Sequence, residues 1–225
     1  MAKDWHTAAH ALTSIQISAT PNNGPVTITG SADGLRCIGV GTDAAVFRHM
    51  EAPAYAFKLY AQEKQYKKEI EQRIYQQLGE LPTLSRLHAA GDNFLVLHYE
   101  PGPTLYDCLL QGIHIPGQAI KDVNDTRAYI RQKGLNPRDI HLKNIILQDG
   151  RAKILDLSEY ENPGNDFRWE HLAKGYAAYY HYIDGKPIPF WLLETIRKWY
   201  NQTADETFTL DEFMRKIARL TLFWK

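Results

Sequence analysis

The run Glu100-Pro101-Gly102-Pro103 divides this chain into two stretches that no single regular element can bridge. Its prolines lack a backbone donor and its glycine frees the turn between them, so neither a strand nor a helix continues through it. Before this hinge the pattern is mostly strand-like. Val26-Thr27-Ile28-Thr29 alternates, and Ala45-Val46-Phe47-Arg48 and Tyr55-Ala56-Phe57-Lys58-Leu59 follow, with Pro53 at the turn between them. Phe94-Leu95-Val96-Leu97-His98 is a further short apolar strand. One helix interrupts them, from Gln62 to Leu78, where Tyr66, Ile70, Ile74 and Leu78 recur every four residues and Gly79 closes the run.

Beyond the hinge the chain turns helical. Thr104 to Leu110 and Gln118 to Lys133 are expected helices, the second stopped by Gly134. Two short strands, Asn144 to Leu147 and Ala152 to Leu155, flank the hairpin turn Asp149-Gly150. Helices are expected near 166–181, 189–200 and 210–222. The aromatic residues of this tail, from Trp169 through Tyr182, Phe190 and Trp191 to Phe223 and Trp224, are expected to pack inward. Residues 1–25, with the turn signal Asn22-Asn23-Gly24-Pro25, read as a helix-like or irregular arm. The expected organisation is therefore an arm (1–25), a strand-rich lobe (26–100) and a helical lobe (101–225): a bilobal α+β protein.

Composition narrows the function classes. With 225 residues, 44% of them hydrophobic, the chain can bury one good core or two small lobes. Its 26 basic and 26 acidic side chains cancel, so net charge recruits neither nucleic acid nor an anionic membrane. Cys37 and Cys108 stand far apart with no Cys-x-x-Cys, which argues against a zinc site and suits a reducing cytoplasm. The first residues lack the apolar core of a signal peptide, and no run approaches the ~18 apolar residues of a membrane span. A soluble cytoplasmic protein is the expectation.

The stretch Asn136-Pro137-Arg138-Asp139-Ile140-His141-Leu142-Lys143-Asn144 carries the chemistry. An Asp and an Asn five positions apart, between hydrophobic runs, match a phosphotransferase catalytic loop: Asp handles an acceptor hydroxyl and Asn holds Mg²⁺. Four other parts of an ATP site surround it in order. Ile38-Gly39-Val40-Gly41-Thr42-Asp43-Ala44-Ala45-Val46 is G-x-G-x-x-A-x-V, a turn whose glycines let backbone N–H groups approach phosphates. A strand follows it, where a Rossmann or Walker loop requires a helix. Lys58 lies on the next strand between apolar neighbours and needs a partner if buried. Glu71 shares a helix face with Ile74, Tyr75 and Leu78 and is the favoured partner, with Glu69 and Glu63 as competitors. Asp156, in Ile154-Leu155-Asp156-Leu157-Ser158, ends a buried strand and offers a second oxygen ligand to a hard cation.

With these residues assembled, the chain resembles the eukaryotic-like protein kinase superfamily from its N-terminal strands to about Asp166. It is most similar to small bacterial serine/threonine kinase-like proteins with a shortened C-lobe. The resemblance implies a bilobal fold, ATP and Mg²⁺ as cofactors, and a hydroxyl acceptor on a protein or a small molecule. Gly39 and Gly41 then match the phosphate loop, Lys58 the phosphate lysine, Glu71 its helical partner and Asp139 the catalytic base. Asn144 and Asp156 match the metal ligands. Ile38, Val46 and Ala56 would lie above the adenine and Ile146 below it, with Leu97 as gatekeeper and Glu100 on the hinge.

The departures open alternatives. Pro137 replaces the histidine of H-R-D, Ala44 the third glycine, and Leu157-Ser158 the Phe-Gly of D-F-G. His141 stands where protein kinases usually carry lysine, a pattern closer to aminoglycoside and choline phosphotransferases. Either His141 or Lys143 is then the phosphate contact. Only nine residues separate Asp156 from Asp166 and no A-P-E follows, so the peptide platform is expected to be missing. Asp166 is either a brace on the catalytic loop or a helix N-cap. A serine/threonine protein kinase is the leading reading. A small-molecule kinase and a nucleotide-binding pseudokinase acting as an interaction module are the alternatives.

Overall fold

The computed structural model describes residues 5–203 and 208–222. It is an α+β structure built on a five-stranded antiparallel sheet in the order β3-β4-β5-β7-β6. Its strands are β3 (Leu35–Val40), β4 (Ala44–His49), β5 (Tyr55–Tyr60), β6 (Leu87–Ala90) and β7 (Phe94–His98). The architecture is the bilobal kinase-like one that the sequence implies. Side-chain alternation gives each face of the sheet its own task. Val46 lies opposite Lys58, and Ala56 opposite Leu97. Val46, Ala56, Lys58, Tyr60, Leu95 and Leu97 therefore share the inner face. Ala45, Phe47, Phe57, Leu59 and Val96 point the other way.

That outer face is where the N-terminal arm folds back. The arm contains a helix, α1 (Trp5–Ala11), and a strand, β1 (Gln16–Ser18). The Val26–Thr29 run does form a strand, β2 (Thr27–Thr29), but it pairs with β1 and not with the main sheet. A strand of three residues gains little at a sheet edge, whereas the hairpin lays Ile17 and Val26 on the apolar outer face. Ala8, Leu12, Ile15, Ile17 and Val26 form one buried cluster with Phe47, Phe57, Leu59 and Val96.

Helix α2 (Gln65–Leu78) covers the inner face, entered through a 3₁₀ turn at Gln62–Lys64. It buries Lys68, Glu71, Ile74, Tyr75 and Leu78. Tyr66 is 53% exposed, against the expectation that it belongs to the apolar stripe. An exact four-residue repeat drifts about 40° per step on a 3.6-residue helix, so Tyr66 sits about 120° round from Leu78.

The hinge crosses a second small sheet, β8 (Ile145–Gln148) with β9 (Arg151–Ile154). Leu147 N–H donates to the Pro103 carbonyl at 2.9 Å. Gly102 has φ 131°, and a Cβ there would lie 2.5 Å from the Leu147 carbonyl oxygen, so only glycine permits this crossing. Helix α3 (Leu105–Gln111) then starts from a capping box between Thr104 and Asp107. Helix α4 (Gly117–Gln132) is tied to β9 by Asp122, which accepts from Arg151 and from the Ala152 N–H.

Helices α5 (Arg168–Tyr179), α6 (Phe190–Thr203) and α7 (Leu210–Leu222) complete the described chain. Trp169 and Tyr180 are buried, as expected for the aromatic tail. Tyr182, Phe190 and Trp191 are exposed instead, because they flank the surface connection between α5 and α6. Phe223 and Trp224 lie outside the described residues. One buried cluster runs through both halves, from Tyr60, Ile74 and Leu97 to Leu105, Ile140, Ile154 and Trp169. Among the described residues no helix is long and apolar enough to cross a membrane.

Candidate functional site

The inner face of β5, the buried side of α2 and the strand end after β9 meet at one ammonium group. Lys58 Nζ lies 2.6 Å from Glu71 Oε2 and 3.0 Å from Asp156 Oδ1. Glu71 is wholly buried. Its Oε2 also accepts from the Tyr60 hydroxyl, and its Oε1 accepts from the Leu157 N–H at 3.1 Å. Glu69 is exposed, and Glu63 accepts from the Ala19 N–H, so Lys58 pairs with Glu71 and not with either competitor. Burial works against the Lys58 charge, but the Asp156 and Glu71 carboxylates outweigh it and raise its pKa. Burial pushes Glu71 up. Asp156 resists its own burial because Lys58 and Ser158 hold its carboxylate down at about 2. At neutral pH the site therefore keeps a charged lysine and a charged aspartate.

Below them lies the loop between α4 and β8. Asp139 sits in the left-handed region, φ 56°. Its N–H donates to Asp166 Oδ2 at 2.6 Å, and its carbonyl accepts from Asn144 Nδ2 at 3.2 Å. Arg168 Nη1 lies 2.5 Å from Asp139 Oδ1. Burial raises the Asp139 carboxyl to about 6 against the lowering effect of Arg168. Asp166 braces the loop and is not the helix N-cap, which is Phe167: Oδ2 holds Asp139, while Oδ1 accepts the Arg168 N–H at the start of α5.

His141 and Lys143 separate cleanly. Burial first, and Arg168 next, drive His141 down to about 4, so it is a neutral imidazole at physiological pH. Its Nδ1 accepts from the Lys143 N–H at 3.2 Å, which leaves the other ring nitrogen as the N–H donor. The Lys143 side chain turns away. Its Nζ lies 4.3 Å over the Tyr106 ring and 3.6 Å from Glu194.

The remaining predicted residues lie on β3, the β3–β4 turn, β4, β5, β7, β8 and the hinge. Gly39 lies opposite Val46, and Gly41 N–H closes the turn on the Ala44 carbonyl at 2.8 Å. Ala56, Leu97 and Ile146 are buried, Val46 half-buried and Ile38 43% exposed on β3. Glu100 is buried, its carboxylate 3.7 Å from Lys153, which pairs with Ile146 across β8 and β9. The donor set suits Mg²⁺: an ionised Asp156, and Asn144, whose Nδ2 is engaged and whose Oδ1 is left for a cation. Among the described residues no group of three His, Cys, Asp or Glu forms a protein-only metal cage. One carboxylate and one amide is the ligand count of a cation completed by phosphate oxygens and water.

Several contributors escaped the sequence reading. Tyr60 was detectable as the residue two beyond Lys58 on the same strand face. Lys67, one turn before Glu71, joins Asp43 of the β3–β4 turn at 2.9 Å and also pairs with Glu159. Lys64 reaches Asp43 at 3.1 Å, and Arg73 reaches Glu161 at 2.7 Å. Arg168 had no signal in the sequence at all.

The sequence comparison adds a named relative. Over 162 residues the chain is 35% identical to a curated protein of Bacillus subtilis (strain 168), "Putative serine/threonine-protein kinase YrzF". The alignment covers 70% of this chain and 75% of that protein. The chain belongs to this kinase-like family. No protein-family model matches it. The family membership and the Lys58–Glu71–Asp156 cluster come from independent observations, one of sequence likeness and one of geometry.

Proposed function

We propose that the chain is an ATP- and Mg²⁺-dependent phosphotransferase acting on a hydroxyl, with the serine or threonine of a protein as the leading acceptor. The observation that carries this reading is the buried Lys58 ammonium shared by Glu71 and Asp156. A permanently charged lysine beneath a glycine turn is suited to phosphate oxygens, and Glu71 fixes its direction. Residues 26–100 form the nucleotide lobe and 101–225 the acceptor lobe. Val46, Ala56, Leu97 and Ile146 enclose the adenine, Ile38 covers its outer edge, and the backbone at Glu100 meets it on the hinge. Gly39 and Gly41 bring backbone N–H groups to the phosphates. Asn144 and Asp156 hold Mg²⁺, which when bound neutralises charge on the phosphate oxygens.

In the transfer step the acceptor oxygen bonds to the γ-phosphorus as the bond to the departing ADP oxygen breaks. Asp139 orients the acceptor O–H and takes its proton late. His141 is neutral and serves only as a hydrogen-bond donor to a phosphate oxygen. The relative's name supports a protein acceptor. A small-molecule acceptor is the second reading, favoured by the short segment 157–166. Lys67 and Arg73 tie it to α2, and Asn136 Nδ2 ties it to the Asn162 carbonyl at 2.7 Å, which leaves little chain for a peptide platform.

The test is label transfer from ATP with Mg²⁺ to protein and small-molecule acceptors, beside Asp139→Ala and Asp156→Ala. The proposal expects transfer that both variants abolish. Nucleotide-dependent thermal stabilisation with no transfer to any acceptor would make the chain a pseudokinase, and transfer persisting in both variants would remove the assigned site.

A further inference from the structure

The backbone of Asp139 is held on both sides, which leaves its side-chain torsions to be set. Its N–H is on Asp166, its carbonyl is on Asn144 and its φ is 56°. Arg168 Nη1 restrains that side chain by holding Oδ1 at 2.5 Å. Neither cationic candidate of the loop does so. His141 directs Nδ1 back to the Lys143 N–H, and Lys143 is engaged with Tyr106 and Glu194. Asp156, Asp166 and Glu159, all acidic, also act on Asp139. Arg168 is the cation in direct contact with the carboxylate.

The position of Arg168 is itself rigid. It is the first residue of α5, its N–H on Asp166 Oδ1, and the helix is anchored by its neighbours. Trp169 is buried with Nε1 donating to Asn124 at 2.7 Å, and Glu170 accepts from the buried Arg127 at 2.8 Å. The Arg168–Asp139 pair is different: both side chains are more than a third exposed, so the pair adds little to folding. Its value lies in geometry: Nη1 holds Oδ1 of Asp139 while Nε lies 4.0 Å from Asp166 Oδ2, so the guanidinium spans both carboxylates.

We propose that Arg168 is the acceptor-side positioning residue of this site, holding one oxygen of Asp139 so that the other faces the incoming hydroxyl. This rests on the phosphotransferase reading above and applies to a protein or a small-molecule acceptor alike.

The test is steady-state transfer by the full chain as wild type, Arg168→Ala, Arg168→Lys and Arg168→Gln. Misplacing a catalytic carboxylate costs about 10²-fold, so Arg168→Ala is expected to lower kcat by about that much. KM for ATP should stay within about twofold and the melting temperature within a few degrees. Arg168→Lys, and millimolar guanidinium added to Arg168→Ala, should restore part of the rate. Wild-type kcat in Arg168→Ala overturns the assignment, and kcat above wild type makes Arg168 a block on the acceptor. If Arg168→Ala does not fold, Arg168→Gln is read instead. A loss in Arg168→Gln that tracks its melting temperature, with no recovery in Arg168→Lys, reduces the residue to a structural role. No transfer by the wild type sinks the phosphotransferase reading itself, an outcome distinct from all of these.

Discussion

Asp166 Oδ2 accepts the backbone N–H of Asp139 at 2.6 Å, and this bond holds Asp139 in the left-handed region at φ 56°. A non-glycine residue there costs about 1–2 kcal/mol and needs such an anchor. Asp166→Ala should therefore cost about 1–3 kcal/mol by leaving the Asp139 N–H unpaired, and should lower kcat more than KM. Urea unfolding beside steady-state kinetics checks both. A variant with full stability and full kcat would show that the bond is dispensable.

Lys58 is the centre of the buried charge network, so its removal should be felt in stability as well as in activity. Breaking a buried ion pair by deleting one partner costs about 3–5 kcal/mol, because the remaining charge is left without compensation. Lys58→Met should lose transfer and fall within that range. Lys58→Met with Glu71→Leu should recover part of the stability and none of the activity. Additive losses in the double variant would contradict the coupling.

The pH dependence follows from Asp139, raised to about 6 by burial against the Arg168 charge. On the proposed mechanism its ionised form accepts the proton, so kcat/KM should be low below about 6, climb through that value and level off above it. Asp156, held near 2, stays charged over this range, and His141, held near 4, stays neutral. Neither should add a second limb between about pH 5 and 8. A profile flat over that interval would remove Asp139 from the role.

Lys67 joins the β3–β4 turn to the segment after Asp156 through Asp43 and Glu159. Partly exposed ion pairs contribute about 0–1 kcal/mol, so Lys67→Met should change stability little. It removes one of the two lysines on Asp43 of the β3–β4 turn, Lys64 remaining, and on the proposed reading should raise KM for ATP about twofold. Unchanged KM and kcat would show that the pairs are incidental.

The arm makes a prediction about folding alone. Leu12 is 4% exposed in the cluster that covers the outer sheet face. Leu12→Ala should cost about 2–4 kcal/mol from lost burial and the cavity left behind. Denaturant unfolding measures it, and a loss below about 1 kcal/mol would mean that the arm does not pack as described.

Local elements were readable to differing degrees. Phe94–His98 forms the strand β7 over the predicted residues, because an apolar run between breakers admits little else. Leu87–Ala90 was missed as a strand: Leu-His-Ala-Ala has neither β-branched residues nor alternation, and only pairing with β7 makes it β6. Val26–Thr29 was readable as a strand but not its partner, since the Gln16–Ser18 strand it pairs with is too short to show a period.

The sequence by itself determined the breaks, the helix and strand periods, and the spacing of Lys58, Asp139, Asn144 and Asp156 along the chain. These depend on covalent geometry and short-range propensity, which act over a few residues. Tertiary structure alone decided which groups meet. It gave Asp166 two partners, sent Lys143 to Tyr106 and brought Arg168 to Asp139, whereas Glu71 over Glu69 was already favoured by helix phase. It also joined Lys67 to Glu159, 92 positions apart. Such encounters depend on how whole elements pack, and a side chain's nearest neighbours along the chain do not determine them.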